Sequence, residues 1–261
     1  MKKVDTSAMT ICFPVRIDSD FRLRNLEAAL RYYSRVTTSR IIVLEADDSP
    51  KADKVAGRFA AVTYRFVADG KPIFHRTHYI NEMLRMADTR LAAVADTDII
   101  VPRAQILAAY NAVYDSETEV MAIPYDGIAW SINEYYSDVF CRRGDIRLFT
   151  KFTAPRNSLF SFNSVGGFFV VDIERYRRCG WENEYFAGWG PEDAERHHRL
   201  TILGCDPVII PGVIYHLYHS RGINSGSEDM ALALATKREY CKVCAMWPDE
   251  LRAYISTWPW I

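Results

Sequence analysis

The 261-residue chain lacks a charge excess of either sign. Its 32 Lys and Arg against 33 Asp and Glu leave a net charge of -1 with histidine neutral. It therefore has no basic field of the kind that carries non-specific nucleic-acid binding, and no nucleic-acid partner is expected. Long hydrophobic runs are also missing: no window approaches the roughly 18 apolar residues of a membrane-spanning helix. The N-terminal segment MKKVDTSAMTICFPV has too short an apolar stretch, interrupted by Asp5, for a secretory leader. A soluble protein, at most peripheral to a membrane, is expected. Three motifs are absent too, namely G-x-x-x-x-G-K-[ST], G-x-G-x-x-G and G-x-S-x-G. Readings as an ATPase, a dinucleotide dehydrogenase or a serine hydrolase thus lose their usual support. Among six cysteines only Cys241 and Cys244 form a CxxC, and no second CxxC completes a zinc set. Several of the six stand in apolar or helical surroundings, where reduced core cysteine is the default. No internal repeat and no low-complexity tract is present.

What is present is an alternation of apolar strands and amphipathic helices. Met9 to Val15, Ile41 to Leu44, Val62 to Val67, Leu91 to Ala95, Val120 to Ile123 and Val165 to Val171 read as strands. Phe21 to Tyr33, with Leu23, Leu26, Ala29 and Leu30 at helical spacing, and His78 to Met86 read as helices. Further helices are expected after Pro102 and near Pro191, because proline suits the first helical turn. This order predicts an α/β fold with a mainly parallel central sheet and helices on both faces. Residues 124–163, rich in aromatics such as Trp130, Tyr135, Tyr136, Phe140, Phe149 and Phe152, break the rhythm and read as an irregular insertion or lid. Residues 222–261 read as a helical tail behind a domain of residues 1–221.

Three segments could carry chemistry. Asp96-Thr97-Asp98 follows the apolar strand LAAVA. Carboxylates two apart in extended chain share a face, and at a strand's C-terminal end that face opens on the ligand crevice of α/β sheets. Such a pair can bind Mg²⁺ or Mn²⁺ together with substrate phosphates, or be no more than a solvated turn. In Gly188-Trp189-Gly190-Pro191-Glu192-Asp193 the glycines allow close approach to a ligand, and the two acids start a helix whose dipole favours their charge. Helix capping alone explains the acids but not a tryptophan between glycines. In Tyr215-His216-Leu217-Tyr218-His219-Ser220 the two histidines can meet one ion from a helical turn or a bent strand end, or be a surface pair. His197 and His198, adjacent on a helix, point different ways and read as structural.

Taken together, these segments resemble the β-1,4-galactosyltransferase group and related bacterial glycosyltransferases of the GT-A fold. The resemblance runs from about Ile11 to Arg221 and is strongest in SVGGFFVVDIERYRRCGWENEYFAGWGPEDAERHHRL, residues 164–200. It implies that Asp98 and His219 bind a metal bridging the donor diphosphate. His216, standing where animal members often have methionine, is the third ligand. Mn²⁺ is the expected ion and Mg²⁺ the alternative. Pro14, Val15, Arg16, Glu45, Phe74, Arg76 and Asp96 fall on the nucleotide side, although Phe-His-Arg-Thr departs from the family's FNRA. Gly167 and Ser164 approach the donor sugar, Trp189 touches donor and acceptor, Glu192 holds an acceptor hydroxyl and Asp193 is the catalytic base.

The chemistry is consistent with that assignment. A nucleoside diphosphate leaves an anomeric carbon only with a cation on its phosphates, and the attacking hydroxyl needs a base within reach. One base without a second carboxylate nucleophile implies single displacement with inversion. The resemblance thus predicts transfer of galactose or a related hexose, GalNAc included, from a UDP-sugar to a saccharide or lipid-linked saccharide. The setting it implies is bacterial surface-polysaccharide synthesis in the cytoplasm, with Trp247, Trp258 and Trp260 either at a membrane surface or capping the core. Two rivals are a metal-dependent phosphoester hydrolase and a non-catalytic saccharide-binding module.

Overall fold

The computed structural model describes residues 2–151, 157–158, 163–188, 190–220, 222 and 229–261. Strand β1 (Met9–Val15) and strand β4 (Leu91–Ala95) are buried at every position, as is β9 (Phe168–Asp172). A strand buried on both pleat faces is covered on both sides of its sheet, which is why these strands read as unbroken apolar runs. With β2 (Arg40–Asp47), β3 (Val62–Ala68), β6 (Met121–Ile123) and β10 (Val208–Ile209) they form a seven-stranded sheet in the order β10-β6-β9-β4-β1-β2-β3. All pairings are parallel except those of β9, which runs antiparallel to both β4 and β6.

That reversed strand matters for function. Because β9 runs backwards, its first residue Phe168 pairs with Ala95, the last of β4. The segment entering β9 therefore lies beside the segment leaving β4, and Gly167 O accepts from Asp96 N at 2.9 Å. Two chain segments far apart in sequence meet at the carboxyl end of the central strand β4, the end at which α/β folds bind ligands.

Helix α1 (Asp20–Val36) is capped by Ser19, whose hydroxyl accepts from Arg22 N, and buries Leu26, Ala29, Leu30 and Tyr33. Helix α2 (Asp53–Ala56) is a single turn, while α3 (Arg76–Met86) packs on β1 and β2. Strand β5 (Ile99–Ile100) follows β4, and α4 (Arg103–Tyr114) starts after Pro102.

Residues 124–163 are not an irregular insertion where they are described. They contain β7 (Ile128–Ser131), α5 (Glu134–Arg143), α6 (Arg147–Lys151) and β8 (Asn157–Ser158). Asn133 caps α5 by accepting from Tyr136 N, and Gly144 ends it in the left-handed region at φ +62°. Two of the aromatics there serve packing: Phe140 and Phe149 are fully buried, and the Phe149 ring centre lies 4.9 Å from that of Tyr215, whereas Tyr135 is exposed. Strands β7 and β8 join β5 and β11 (Val213–His216) in a second sheet, ordered β5-β11-β7-β8. Sequence periodicity did not foreshadow this sheet.

Helix α7 (Ile173–Arg178) precedes α8 (Glu192–Ile202), on which α9 (Met230–Cys244) packs. Helix α10 (Pro248–Ile255) and Trp258 form a small core of their own with Val243. Trp258 is buried there against Gly180, whereas Trp247 is 76% exposed. Cys241 and Cys244 are exposed and free. Among the described residues no helix is long and apolar enough to cross a membrane.

Candidate active site

A cleft of about 690 Å³ opens where β1 and β4 end, where β9 begins and where β11 ends. Its lining includes Pro14, Val15, Arg16, Phe74, Arg76, Asp96, Asp98, Ser164, Gly167, Glu192, Asp193, His216 and His219. Thirteen of the fifteen residues singled out from sequence thus share one cavity. The other two differ. Trp189 lies outside the described residues. Glu45 lies outside the lining: its carboxylate accepts from Lys51 N, Ala52 N and the Tyr64 hydroxyl at 2.5–3.2 Å, and so holds the start of α2. An acid at a strand's end looks alike in sequence whether it faces a crevice or a turn.

One corner of the cleft is built by strand pairing. Asp98 immediately precedes β5, and β5 pairs antiparallel with β11 so that Ile99 faces His216. Leu217 N then donates to Asp98 O at 2.7 Å. This register sets the His216 Nε2 atom 3.7 Å and the His219 Nε2 atom 3.3 Å from the Asp98 carboxylate. Among the described residues, Asp98, His216 and His219 are the one group of three whose ligand atoms lie within 4.8 Å of one another. Burial alone would raise the Asp98 pKa, but His216, His219 and Arg22 outweigh it and hold the carboxyl below its usual range. Burial lowers the pKa of His216, so its imidazole is neutral with a lone pair to offer at neutral pH. Arg22 reaches Asp98 at 3.6 Å and Asp18 at 2.9 Å. Sequence reading passed over Arg22, since nothing in an isolated helical arginine signals a partner so distant in the chain.

Another part of the lining is a chain of alternating charge. Asp96 accepts from Arg76 Nε and Nη2 at 3.1 and 2.7 Å. Arg76 Nη1 lies 4.0 Å from Asp193, and Arg196 Nη1 donates to Asp193 Oδ1 at 2.8 Å. Burial would raise Asp193, but Arg196 and Arg76 outweigh it and keep the group ionised below the ordinary carboxylate range. Its neighbour Glu192 behaves oppositely: burial, then the Asp193 charge, push its carboxyl up to about 8. Among the described residues, the buried Glu192 Oε2 and Arg76 Nη1 have no hydrogen-bond partner. Adjacent acids on one helical turn thus differ in protonation at neutral pH, an arrangement suited to one donor and one acceptor of hydrogen bonds.

The glycine pair is required by what touches it. Gly167 has φ +82°, and a Cβ there would lie 3.0 Å from Ile99. A Cβ on Gly166 would lie 1.8 Å from Asp193 Oδ2. Ser164, just before, shares a hydrogen bond with the buried Tyr125 hydroxyl at 2.9 Å, and that hydroxyl donates to Gly166 O at 2.6 Å. On the far side Arg16 donates to Ala46 O, Lys71 O and Asp69, and its guanidinium lies 5.4 Å from the Phe74 ring centre.

No sequence family and no curated protein matches the chain by sequence. Solved structures do match by shape. Glucosyl-3-phosphoglycerate synthase from Mycobacterium tuberculosis, in complex with Mn²⁺, UDP and phosphoglyceric acid, superposes with a TM-score of 0.56 at 13% identity, over 92% of this chain and 80% of that one. A mannosyltransferase from Pyrobaculum calidifontis with GDP-mannose and Mn²⁺ gives 0.56 at 14% identity, over 95% and 68%. The catalytic domain of Drosophila β1,4-galactosyltransferase 7 with xylobiose gives 0.53 at 15% identity, over 92% and 82%. The chain shares the overall fold of these structures, an α/β fold of the GT-A type with a mostly parallel central sheet.

Proposed function

We propose that the protein is a metal-dependent glycosyltransferase that moves galactose, or a related hexose such as GalNAc, from a UDP-sugar to a saccharide acceptor with inversion. The observation that carries this reading is the meeting, in one cleft, of the Asp98–His216–His219 group with an ionised Asp193. A carboxylate with two imidazoles suits Mn²⁺, the ion of the structurally similar enzymes, and Mg²⁺ is the alternative. When bound, such an ion neutralises charge building on the departing diphosphate.

The chain's own residues do the rest. Pro14, Val15, Arg16 and Phe74 line the part of the cleft we assign to the uridine, with the Arg16 guanidinium 5.4 Å from the Phe74 ring centre. Arg76 and Asp96 lie on the diphosphate side, and Gly167 lets the donor sugar approach the backbone. The Asp193 carboxylate takes the proton of the acceptor hydroxyl as its oxygen bonds to the anomeric carbon, while the carbon–phosphate oxygen bond breaks and its electron pair leaves on the diphosphate. A protonated Glu192 donates a hydrogen bond to the acceptor. Ser164 leaves room near the sugar's C2 substituent, which supports acceptance of UDP-GalNAc. A role in bacterial surface-polysaccharide synthesis, in the cytoplasm and peripheral to the inner membrane with a lipid-linked acceptor, rests on the resemblance.

The test is a thermal-shift panel of UDP-sugars with and without Mn²⁺, on wild type and Asp98→Ala. Ligand at a hundred times Kd adds about 2.7 kcal/mol of stability. Joint stabilisation by UDP-sugar and Mn²⁺ that Asp98→Ala abolishes is the expected result. Phosphate release without sugar transfer would favour the hydrolase, and stabilisation by glycans but not by nucleotide would favour the binding module.

A further inference from the structure

The acid assigned as the base does not stand alone. Arg196, 1% exposed, follows Asp193 by three positions on α8 and so lies on the same helix face. Its guanidinium spends two donors on one buried partner, with Nε and Nη2 each 2.7 Å from a Glu182 oxygen. Glu182 is itself locked. It accepts from the buried Tyr176 hydroxyl at 2.6 Å, and its backbone N–H and carbonyl are bound by Asn81. The Phe169 ring lies 4.1 Å from the guanidinium carbon and closes one face. The fork is thus oriented before Asp193 is considered, and its remaining arm, Nη1, points at Asp193 Oδ1.

We propose that Arg196 is the positioning residue of the active site, holding Asp193 by one carboxylate oxygen so that the other lies against Gly166 and faces the acceptor. The inference rests on the reading of Asp193 as the base. It goes beyond it by assigning to a buried side chain, which is not part of the cleft lining, both the aim and the ionisation of that base. The geometry excludes a merely rotating carboxylate: Oδ1 is tied to a guanidinium that cannot turn, and Oδ2 abuts a backbone with no side chain. The groups facing Asp193 are Arg196 and Glu192 from α8, Arg76 from α3, Asp96 from the end of β4 and Tyr125 from the loop after β6. Of these, the two arginines favour its charge, and Arg196 is the only one bonded to it. Without Arg196, burial is opposed by Arg76, which lies 4.0 Å from the carboxylate, and the proton affinity of Asp193 rises.

The experiment uses the full chain, with Asp carboxyl carbons labelled for NMR titration and turnover followed by UDP release from UDP-galactose or UDP-GalNAc. The variants are Asp193→Asn, Arg196→Met, Arg196→Lys and the double variant Arg196→Met/Glu182→Leu. The double variant guards against misfolding, since replacing a buried ion pair by apolar residues of similar volume is often neutral or stabilising. The carboxyl signal missing in Asp193→Asn identifies the base. In Arg196→Met and in the double variant that signal should titrate at least one pH unit higher than in wild type. The acidic limb of the kcat profile should follow it, with kcat reduced about 100-fold, the cost of an ångström of misplacement, and donor KM little changed. Arg196→Lys, with a single point charge, should restore part of the titration shift but not the rate. An unmoved Asp193 titration in a folded Arg196→Met or double variant overturns the positioning role while leaving the base in place. Full turnover by Asp193→Asn overturns the base and the inference together.

Discussion

Gly166→Ala tests the geometry of the proposed active site with a single methyl group. The glycine's backbone is not in the left-handed region, so alanine is allowed there on conformational grounds. What forbids it is Asp193: the new Cβ would sit 1.8 Å from Oδ2 and 2.4 Å from Cγ, against the 3.0 Å below which real Cβ contacts essentially never occur. The carboxylate must recede by more than an ångström, and to do so it must loosen its 2.8 Å bond to Arg196. Misplacing a catalytic group by about 1 Å costs on the order of 10²-fold in rate. Overpacking costs roughly 1–3 kcal/mol, which for a chain of this length lowers Tm by roughly 2–12 °C. The assay is turnover by UDP release together with thermal melts, for Gly166→Ala, Asp193→Ala and the pair. In the Asp193→Ala background the obstruction is gone, so the methyl should cost little stability there, and the double-mutant cycle should show strong coupling. Wild-type turnover in Gly166→Ala, or an equal loss of stability in both backgrounds, would refute the reasoning.

Glu192 gives a pH test. Its folded carboxyl sits at about 8 against 4.5 for a free glutamate, so between those values the folded chain holds a proton that the unfolded chain has released. Stability from this group is therefore fully present below about pH 4.5, falls as pH rises and levels off above 8. Glu192→Gln should flatten that slope, gaining on wild type by up to about 1.4 kcal/mol per pH unit across the window. Urea melts at pH 5, 7 and 8.5 check it, and parallel slopes in both proteins would reject it. Ser164→Tyr should lower kcat/KM for UDP-GalNAc relative to UDP-galactose by at least tenfold, about 1.4 kcal/mol. Wild type should use UDP-GalNAc at least comparably to UDP-galactose; a tenfold preference for UDP-galactose that the tyrosine leaves unchanged removes Ser164 from donor selection.

Parts of this arrangement were legible from residue order because they are local. Strands β1 and β4 match their apolar runs residue for residue, since a strand buried on both faces has no polar position to blur its ends. The Asp96–Asp98 pair and the Glu192–Asp193 pair stand at the end of a strand and the start of a helix, where α/β folds open their ligand crevice, although the turn after β4 sends Asp96 to Arg76 and Asp98 to the histidines. Helix α5 was locally marked as well, by Asn133 and Gly144 at its ends, but the aromatics between them read as a loop. Arg196 was within reach too, three residues beyond Asp193 on the same helix. Glu45 shows the limit of that logic, because the amides of Lys51 and Ala52 that claim it become visible only once the turn after β2 is built.

What residue order could not display is register. The meeting of His216 with Asp98 depends on the pairing of a two-residue strand, Ile99–Ile100, with the end of β11, more than a hundred positions away. A slip of one residue would move every side chain of the strand to the other face of the sheet and carry His216 away from Asp98. The register is held from several sides: Leu217 N is bonded to Asp98 O, Ile132 N to His216 O, and Tyr218 N to the Ser137 hydroxyl of α5. The Tyr33 hydroxyl, from α1, donates to Ile99 O at 3.0 Å. The segment that breaks the strand–helix alternation in sequence is therefore the one that fixes the second sheet, and through it the histidine side of the cleft. An alteration in α5 that displaces Ser137 should weaken any Mn²⁺ dependence of the thermal shift without touching a candidate ligand. Ser137→Ala is the simplest form of that test, and unchanged Mn²⁺ stabilisation in it would show that β5 and β11 hold the register unaided.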